Sequence, residues 1–497
     1  MTTREQQQRL IRIAHLRTRQ TVDDLWLRYA ALGGNAGTAD LEAFLAGTAD
    51  LPEVERDRVA LAVNDHLNTL AGATRAPYSH SLRPPEPSTG LPAALVEMLR
   101  GTHLAPLEAL PTVLSAAGRH LGVTAVAYLA DDAKEVLVPV PGGPGQDRPP
   151  LRIDGTLPGR AFRLLRIETT VSDDGQARLW VPVIDGVERL GVLDVMTRAP
   201  AELTDPHLHR QCWWWAHYLG HLLSSMTAYG DFFETLRVTR PRTTQAELVW
   251  RLLPPLTAGT DRVLVSGRVE PAHDVGGDLF DYALSDDRAQ FAVIDAMGHD
   301  LRAGLAAATA VSAYRSARRS GAGLFEQAEA VHDAVSEQFE GDVLATGVLA
   351  DLDLTTGRLR YLVAGHPAPL LFRDGKVVKS LASGRRPVLG LDVRSMTIGE
   401  EHLQPGDTVV LYTDGITEAR DREGQGFGLA RLTDTLQRGA AEGLPLPEVV
   451  RRVVKAILEH HDGVLQDDAT LLLVRWTTEG QDALDPEPPV PDPEAPV

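Results

Sequence analysis

Four aspartate-bearing segments between residues 274 and 474 constrain this chain more than any other feature. They are Asp274-Val-Gly-Gly-Asp278-Leu-Phe-Asp281, Phe291-Ala-Val-Ile-Asp295-Ala-Met-Gly-His299, Val409-Val-Leu-Tyr-Thr-Asp414-Gly415 and Asp467-Asp468-Ala-Thr-Leu-Leu-Leu-Val474. In the second and third, an apolar run with strand character delivers one carboxylate to a glycine-bearing turn; in the fourth, the carboxylates open the strand. That is how a fold presents oxygen ligands on rigid elements beside adaptable backbone. Carboxylates that converge in one cleft repel and raise one another's pKa unless a cation neutralises them. An all-carboxylate set suits Mg²⁺ or Mn²⁺, whereas zinc draws on His and Cys.

The rest of the chain reads as further folded units. Its 497 residues exceed a single core and predict about three domains. Residues 1–75 read as a helical domain, with apolar positions at helical spacing (Val22, Leu25, Tyr29, Leu32; Val59, Val63, Leu67, Leu70) and a helix start at Asp50-Leu-Pro-Glu53. Pro77, Pro84, Pro85 and Pro87 mark residues 76–90 as a linker. Residues 91–227 switch to a mixed α/β pattern: a helix near 106–121, strands at 123–129 and 135–140, a hairpin turning at Asp185-Gly186, and a closing helix with Trp213, Trp214 and Trp215. This order, with the Gly159-Arg-Ala-Phe162 and Glu188-Arg-Leu-Gly-Val192 patches, resembles a GAF-like sensory domain, which implies an unknown small-molecule ligand. Residues 228–253 read as a connecting helix interrupted near Pro241, whose apolar Phe232, Leu236, Leu248 and Leu252 suggest a homodimer seam. Residues 479–497 are acidic, rich in proline and devoid of aromatics, and are expected to be disordered.

Composition excludes several classes. The net charge of −19 argues against a nucleic-acid binder, whose affinity comes from Lys and Arg on phosphates. A single cysteine, Cys212, rules out an intrachain disulfide and a cysteine-rich zinc site and fits a reducing compartment. With no apolar signal core and no long uncharged apolar run, the reading is cytoplasmic with no membrane partner. No Gly-x-x-x-x-Gly-Lys-Ser/Thr loop supports triphosphate handling.

Taken in order, Gly276-Gly-Asp278, Asp295-Ala-Met-Gly-His299, Ala364-Gly-His-Pro367, Tyr412-Thr-Asp-Gly-Ile-Thr-Glu418 and Asp467-Asp-Ala-Thr470 resemble the signature of the SpoIIE-type branch of the PPM metal-dependent protein serine/threonine phosphatases. The resemblance covers residues 254–478. It implies a multidomain α/β protein whose C-terminal domain is a sandwich of two antiparallel sheets flanked by helices, with two Mn²⁺ or Mg²⁺ ions at one edge. It further implies that Asp295 bridges the ions, that the Ala296 carbonyl adds a backbone ligand, that Asp414 and Asp467 come from the opposite sheet, and that Asp278 binds one ion directly or through water. His299 and His366 are the candidate general acids, and Arg385 and Arg386 candidate phosphate grips. Asp300 stands where the family commonly has Gly, adding negative charge beside the site.

The function implied is hydrolysis of phosphoserine or phosphothreonine on a bacterial signalling protein of the anti-anti-sigma-factor type, under control of the GAF-like domain. Two other readings share these residues: a catalytically weak, ligand-sensing scaffold that docks signalling proteins, and a hydrolase of a phosphorylated small molecule.

Overall fold

The structure is a computed structural model that describes residues 4–69, 78–79, 87–142, 148–171, 175–239, 241–270, 276–298, 300–391, 395–461, 465 and 467–477. The chain divides into two compact units, residues 1–86 and 87–497. The Pro-rich tail at 479–497 and most of the linker at 76–90 lie outside the described residues.

The first unit is all helical: Arg4–Thr18, Val22–Ala31, Thr38–Ala46 and Glu53–Thr69. The second of these starts at a capping box, in which the Thr21 hydroxyl accepts from the Asp24 N–H while the Asp24 carboxylate accepts from the Thr21 N–H. Ile11, Leu25, Tyr29, Leu41, Phe44, Val59 and Val63 form its core.

The second unit holds three six-stranded sheets. In the first, the strand order is Leu151–Arg152, Val136–Pro139, Thr124–Ala130, Glu188–Met196, Ala177–Asp185 and Glu168–Val171, antiparallel throughout. The helices Leu110–Leu121 and Pro206–Thr227 pack on one face of this sheet around Trp215, Leu114 and Leu193. Phe162, Tyr128 and Trp180 form a smaller cluster that carries the helix Leu157–Leu164.

The connecting segment, expected to be helix interrupted near Pro241, forms two short helices, Phe232–Arg237 and Thr244–Leu252. Pro241 falls between them, where its missing N–H and fixed φ forbid a continuous helix. Phe232 and Leu236 pack on the first sheet's core and Leu252 on the core that follows.

The other two sheets make a sandwich. One carries Arg385–Arg386, Arg358–Ala364, Ala345–Asp353, Arg288–Ala296 and Asp278–Leu284, with Gly399–His402 also paired to Arg358–Ala364. The other runs Lys376–Ser380, Leu370–Arg373, Thr408–Tyr412, Ala469–Trp476, Val263–Glu270 and Thr257–Gly259. All pairings are antiparallel except that of the two-residue strand Arg385–Arg386. Strand alternation explains the continuous apolar runs: Val409, Leu411, Leu472 and Val474 face the space between the sheets, while Val410, Tyr412, Leu471 and Leu473 face the outer helices Gly428–Ala441 and Leu446–His460. On the far side, Ala306, Ala310, Val311 and Tyr314 of the helix Leu301–Arg319 cover the first sheet of the sandwich. Among the described residues no helix is long and apolar enough to cross a membrane.

The N-terminal sheet and the sandwich are joined by a buried ionic cluster. Glu448, near the start of Leu446–His460 and fully buried, accepts from Arg189 at 3.3 Å and from Arg451 at 2.9 Å, with Arg452 at 3.5 Å and Arg163 at 3.8 Å. Asp154 accepts in turn from Arg451 at 2.7 Å and from Lys455. Arg163, Arg189 and Asp154 belong to the N-terminal sheet region, and the other residues to the sandwich helix.

Candidate active site

The two sheets of the sandwich each bring aspartates to their common edge. Asp278 opens its strand and lies opposite Asp295, near the end of the neighbouring strand, and Asp295 in turn lies opposite Thr346. From the other sheet, Thr408–Tyr412 leads through Thr413 into the short helix Asp414–Glu418, and Asp467 and Asp468 immediately precede Ala469–Trp476.

The sheets meet through polar contacts that cross the edge. The Asp468 carboxylate accepts N–H groups of Gly276 at 2.8 Å, Gly277 at 2.6 Å and Asp278 at 3.3 Å. The Thr413 hydroxyl donates to Asp278 Oδ2 at 2.8 Å and accepts the Thr470 N–H at 2.8 Å. Within each sheet, a glycine lets neighbouring backbone segments approach closely. A Cβ on Gly277 would stand 2.3 Å from the Ala296 carbonyl oxygen, and one on Gly415 would stand 1.9 Å from that of Asp468.

Electrostatics show how tightly the carboxylates crowd. Burial first, then the charges of Asp295 and Asp468, push the fully buried Asp278 well above the usual carboxylate range, against the opposing hydroxyls of Thr470 and Thr413. Asp295 is pushed up to about 7 by burial and by Asp414 and Asp467. Asp414 is raised by burial, Glu418 and Asp467, and Asp468 by burial, the latter against the three backbone N–H groups it accepts. The structure therefore puts Asp278 in the field of Asp295, and Asp295 in the fields of Asp414 and Asp467. Among the described residues, no three His, Cys, Asp or Glu side chains are arranged to share one ion as they stand. The donor set is nonetheless all oxygen, and the ionisation of Asp278, Asp295 and Asp414 is held back by burial and by neighbouring carboxylates, a condition that a hard divalent cation relieves.

The remaining sequence candidates fall as follows. Ala296 lies beside Gly277, its N–H donating to the Gly277 carbonyl at 3.0 Å. His299 lies outside the described residues. His366 is buried and pushed down to about 4 by that burial, with the Tyr412 backbone pulling the other way, so its surroundings disfavour the imidazolium form that a general acid would use. Arg386 is not a phosphate grip: it is buried, donates to the Ala328 carbonyl at 3.0 Å and pairs with Glu329 at 3.1 Å, because alternate residues of a strand point to opposite faces. Arg385, its exposed neighbour, donates to the Ala382 carbonyl at 2.7 Å. Asp281 binds Arg315 and Arg318, tying its strand to the helix above. Asp300 caps that helix by accepting the Ala303 N–H at 3.0 Å. Cys212 is buried within the N-terminal sheet's core with its thiol pushed up to about 12, unsuited to nucleophilic work.

Sequence reasoning missed three participants: Asp468 as a backbone clamp, Thr413 on Asp278, and Thr346, whose hydroxyl lies 3.3 Å from Asp295 Oδ2 and 2.8 Å from His366 Nδ1. The signals were present in the Asp467-Asp468 doublet, in the Thr preceding Asp414 and in the Gly-His-Pro turn.

Comparison with known proteins agrees with the motif order. The SpoIIE family (stage II sporulation protein E) matches residues 285–477. Protein IcfG of Synechocystis sp. is 29% identical over 134 residues, 27% of this chain and 20% of IcfG. The phosphoserine phosphatase RsbU of Bacillus subtilis is 24% identical over 275 residues, 52% of this chain and 79% of RsbU. Among solved structures, the RsbU and RsbW domains of Rv1364c from Mycobacterium tuberculosis align with 26% identity and a TM-score of 0.39, over 44% of this chain and 62% of that one. The chain thus spans a fifth of IcfG and under two thirds of the mycobacterial chain. Residues 285–477 are thus similar to the SpoIIE family, and four of the five ordered motifs fall within that match.

Proposed function

We propose that the chain is a metal-dependent protein serine/threonine phosphatase. The observation that carries this reading is the set of mutually repelling carboxylates at the edge of the sandwich, with Asp295 pushed up to about 7 by burial, Asp414 and Asp467. A scaffold gains nothing from such repulsion, which costs stability wherever no cation offsets it.

Asp278, Asp295, the Ala296 carbonyl, Asp414 and Asp467 would hold two Mn²⁺ or Mg²⁺ ions. Ions so held supply Lewis acidity, lowering the pKa of a shared water and neutralising phosphoryl oxygens. The protein's own part is positional. Asp468 pins the Gly276–Gly277 backbone, Thr413 orients Asp278, and the tight Gly277–Ala296 and Gly415–Asp468 contacts each hold neighbouring segments together within one sheet. Because the phosphoryl group needs charge neutralisation and in-line alignment more than covalent help, rigid placement of these oxygens is the main protein contribution.

A protein substrate is supported by the lip of the site. Met297, Leu301 and Leu305 are exposed at roughly one-turn spacing from the turn after Asp295 into the helix it begins, an apolar edge suited to a macromolecule rather than a small phosphate ester. The naming of RsbU as a phosphoserine phosphatase supports a phosphoserine or phosphothreonine protein of the anti-anti-sigma-factor type as substrate. The N-terminal sheet region, residues 91–227, is proposed as a GAF-like regulator, in contact with the phosphatase domain through the Glu448 cluster.

The test is phosphate release from a phosphoserine protein by the full chain, with Mn²⁺ and with chelator, beside Asp295→Asn. Mn²⁺-dependent release lost in the variant is the expected outcome. Full activity in chelator, or undiminished activity in Asp295→Asn, would overturn the reading.

A further inference from the structure

Resting on that reading, we infer that Thr346 and His366 are positioning residues which act in series to fix the rotation of the Asp295 carboxylate. Thr346 lies directly across the strand pair from Asp295, and its Oγ1 stands 3.3 Å from Asp295 Oδ2 and 2.8 Å from His366 Nδ1. A threonine hydroxyl has one proton to give, and the Asp295 carboxylate, ionised when it holds a cation, can only accept. The Thr346 proton therefore goes to Asp295, and the 2.8 Å contact is closed by His366 donating from Nδ1. That tautomer leaves Nε2 without a hydrogen, and among the described residues no group lies within hydrogen-bond geometry of Nε2. A bare acceptor is the less costly of the two nitrogens to leave unpaired, since a buried N–H would forfeit a donor.

The arrangement repeats the one on Asp278, whose Oδ2 accepts from Thr413 while Thr413 accepts the Thr470 N–H. In both cases an uncharged hydroxyl, itself oriented by a second N–H donor, faces the carboxylate from an adjacent chain segment. A lysine or arginine in that place would neutralise the carboxylate and compete with a cation; a hydroxyl orients it without lowering its demand for one. His366 is held for this task by its turn, in which Gly365 adopts φ +62° and passes close to Val388.

The test is Mn²⁺ affinity of the full chain by titration calorimetry, independent of turnover. Thr346→Val, which keeps the shape and removes the hydroxyl, is expected to weaken binding about tenfold or more, the usual effect of losing a ligand's outer partner. Thr346→Ser, which keeps the hydroxyl, is expected to stay within about twofold of wild type by the same logic. His366→Leu should weaken binding as Thr346→Val does, and the double variant should be no weaker than Thr346→Val alone, since the two act in series. Nitrogen chemical shifts of His366 should report the Nδ1–H tautomer.

Wild-type affinity in Thr346→Val, additive losses in the double variant, or an Nε2–H tautomer turned to the Tyr412 backbone would each overturn the inference. Should Thr346→Val not fold, a tenfold loss in a folded Thr346→Ser would overturn it as well. No Mn²⁺ uptake by the wild type would instead defeat the phosphatase reading, and the inference with it.

Discussion

Replacing Glu448 by Gln should loosen the joint between the N-terminal sheet and the two-sheet sandwich. Glu448 is fully buried and is the carboxylate that Arg189, itself buried, reaches at 3.3 Å. At an effective dielectric near 20, opposite charges at that separation attract by about 5 kcal/mol. The loss is smaller than this gross figure, because Asp154 still pairs with Arg451 at 2.7 Å and Glu188 still acts on Arg189. Removing one partner of a buried pair typically costs about 3–5 kcal/mol, and the residual partners place this case near 3. With a urea slope of about 3 kcal/mol per molar, the unfolding midpoint should fall by about 1 M. The assay is urea denaturation of the full chain followed by Trp fluorescence, since Trp180, Trp213 and Trp215 lie in the N-terminal sheet region. Removing the stranded cation as well, in Arg189→Met/Glu448→Gln, should recover at least about 1 kcal/mol, because much of the cost is the unpaired charge. A midpoint within about 0.3 M of wild type, or a double variant as unstable as the summed single variants, would refute the claim that this pair secures the joint.

Three further predictions test the site and its surroundings. Gly277→Ala should abolish Mn²⁺-dependent phosphate release while leaving the CD spectrum native, since its Cβ would sit 2.3 Å from the Ala296 carbonyl and force apart the strand ends that carry Asp278 and Asp295. Burial, reinforced by Arg237 and Arg268, pushes Lys134 from 10.5 down to about 7, so between those values the unfolded chain binds the extra proton and stability should rise with pH; urea melts across pH 7–10 should show that rise in wild type and a smaller one in Lys134→Met, which should also be the more stable at pH 7. Replacing Met297, Leu301 and Leu305 together by Ser should raise KM for a phosphoprotein about tenfold while leaving hydrolysis of p-nitrophenyl phosphate within about twofold, and equal losses on both substrates would refute a docking role for this lip.

The legible part of this fold was the part in which one physical demand dominates. Strands buried on both faces require unbroken apolar runs, so Val409–Tyr412 and Thr470–Val474 declared themselves, and the carboxylates at their ends with them. Less legible was which of two adjacent side chains faces which way. Asp467 and Asp468 read alike, yet Asp468 turns inward to the Gly276–Gly277 backbone while Asp467 is exposed. Arg385 and Arg386 likewise read as one basic patch, and only Arg386 is drawn under the helix Leu324–Phe339. Within the first unit, Arg4–Thr18 buries only Gln7, Ile11, Ala14 and Thr18, too thin an apolar stripe to single it out from composition. The link from Glu448 to the N-terminal sheet was invisible for another reason: Arg189 lies 259 residues from Glu448, and nothing local marks a glutamate at a helix start as the counter-ion of a distant arginine.

That difference bears on how such a site could be controlled. Asp278 and Asp295 sit on paired strands of one sheet, and their mutual register is set by a continuous ladder of backbone hydrogen bonds. Asp414 and Asp467 belong to the opposite sheet, and the helix Leu446–His460, whose first turns are bound to the N-terminal sheet region through Glu448, Arg451 and Lys455, runs in the chain directly before Asp467 and Asp468. A displacement at the joint therefore has a short covalent route to one half of the carboxylate set and none to the other. Because the two halves are linked by hydrogen bonds from Thr413 and to Asp468 rather than by a shared strand ladder, a small shift of that helix would change the separation between the halves before it disturbed either one. Two ions held between the halves would be sensitive to that separation, since Mg²⁺ and Mn²⁺ bind well only when oxygen ligands meet their narrow distance range. If the joint governs the site in this way, Glu448→Gln should alter Mn²⁺ affinity as well as stability, whereas Tyr29→Phe in the first unit should leave Mn²⁺ affinity unchanged.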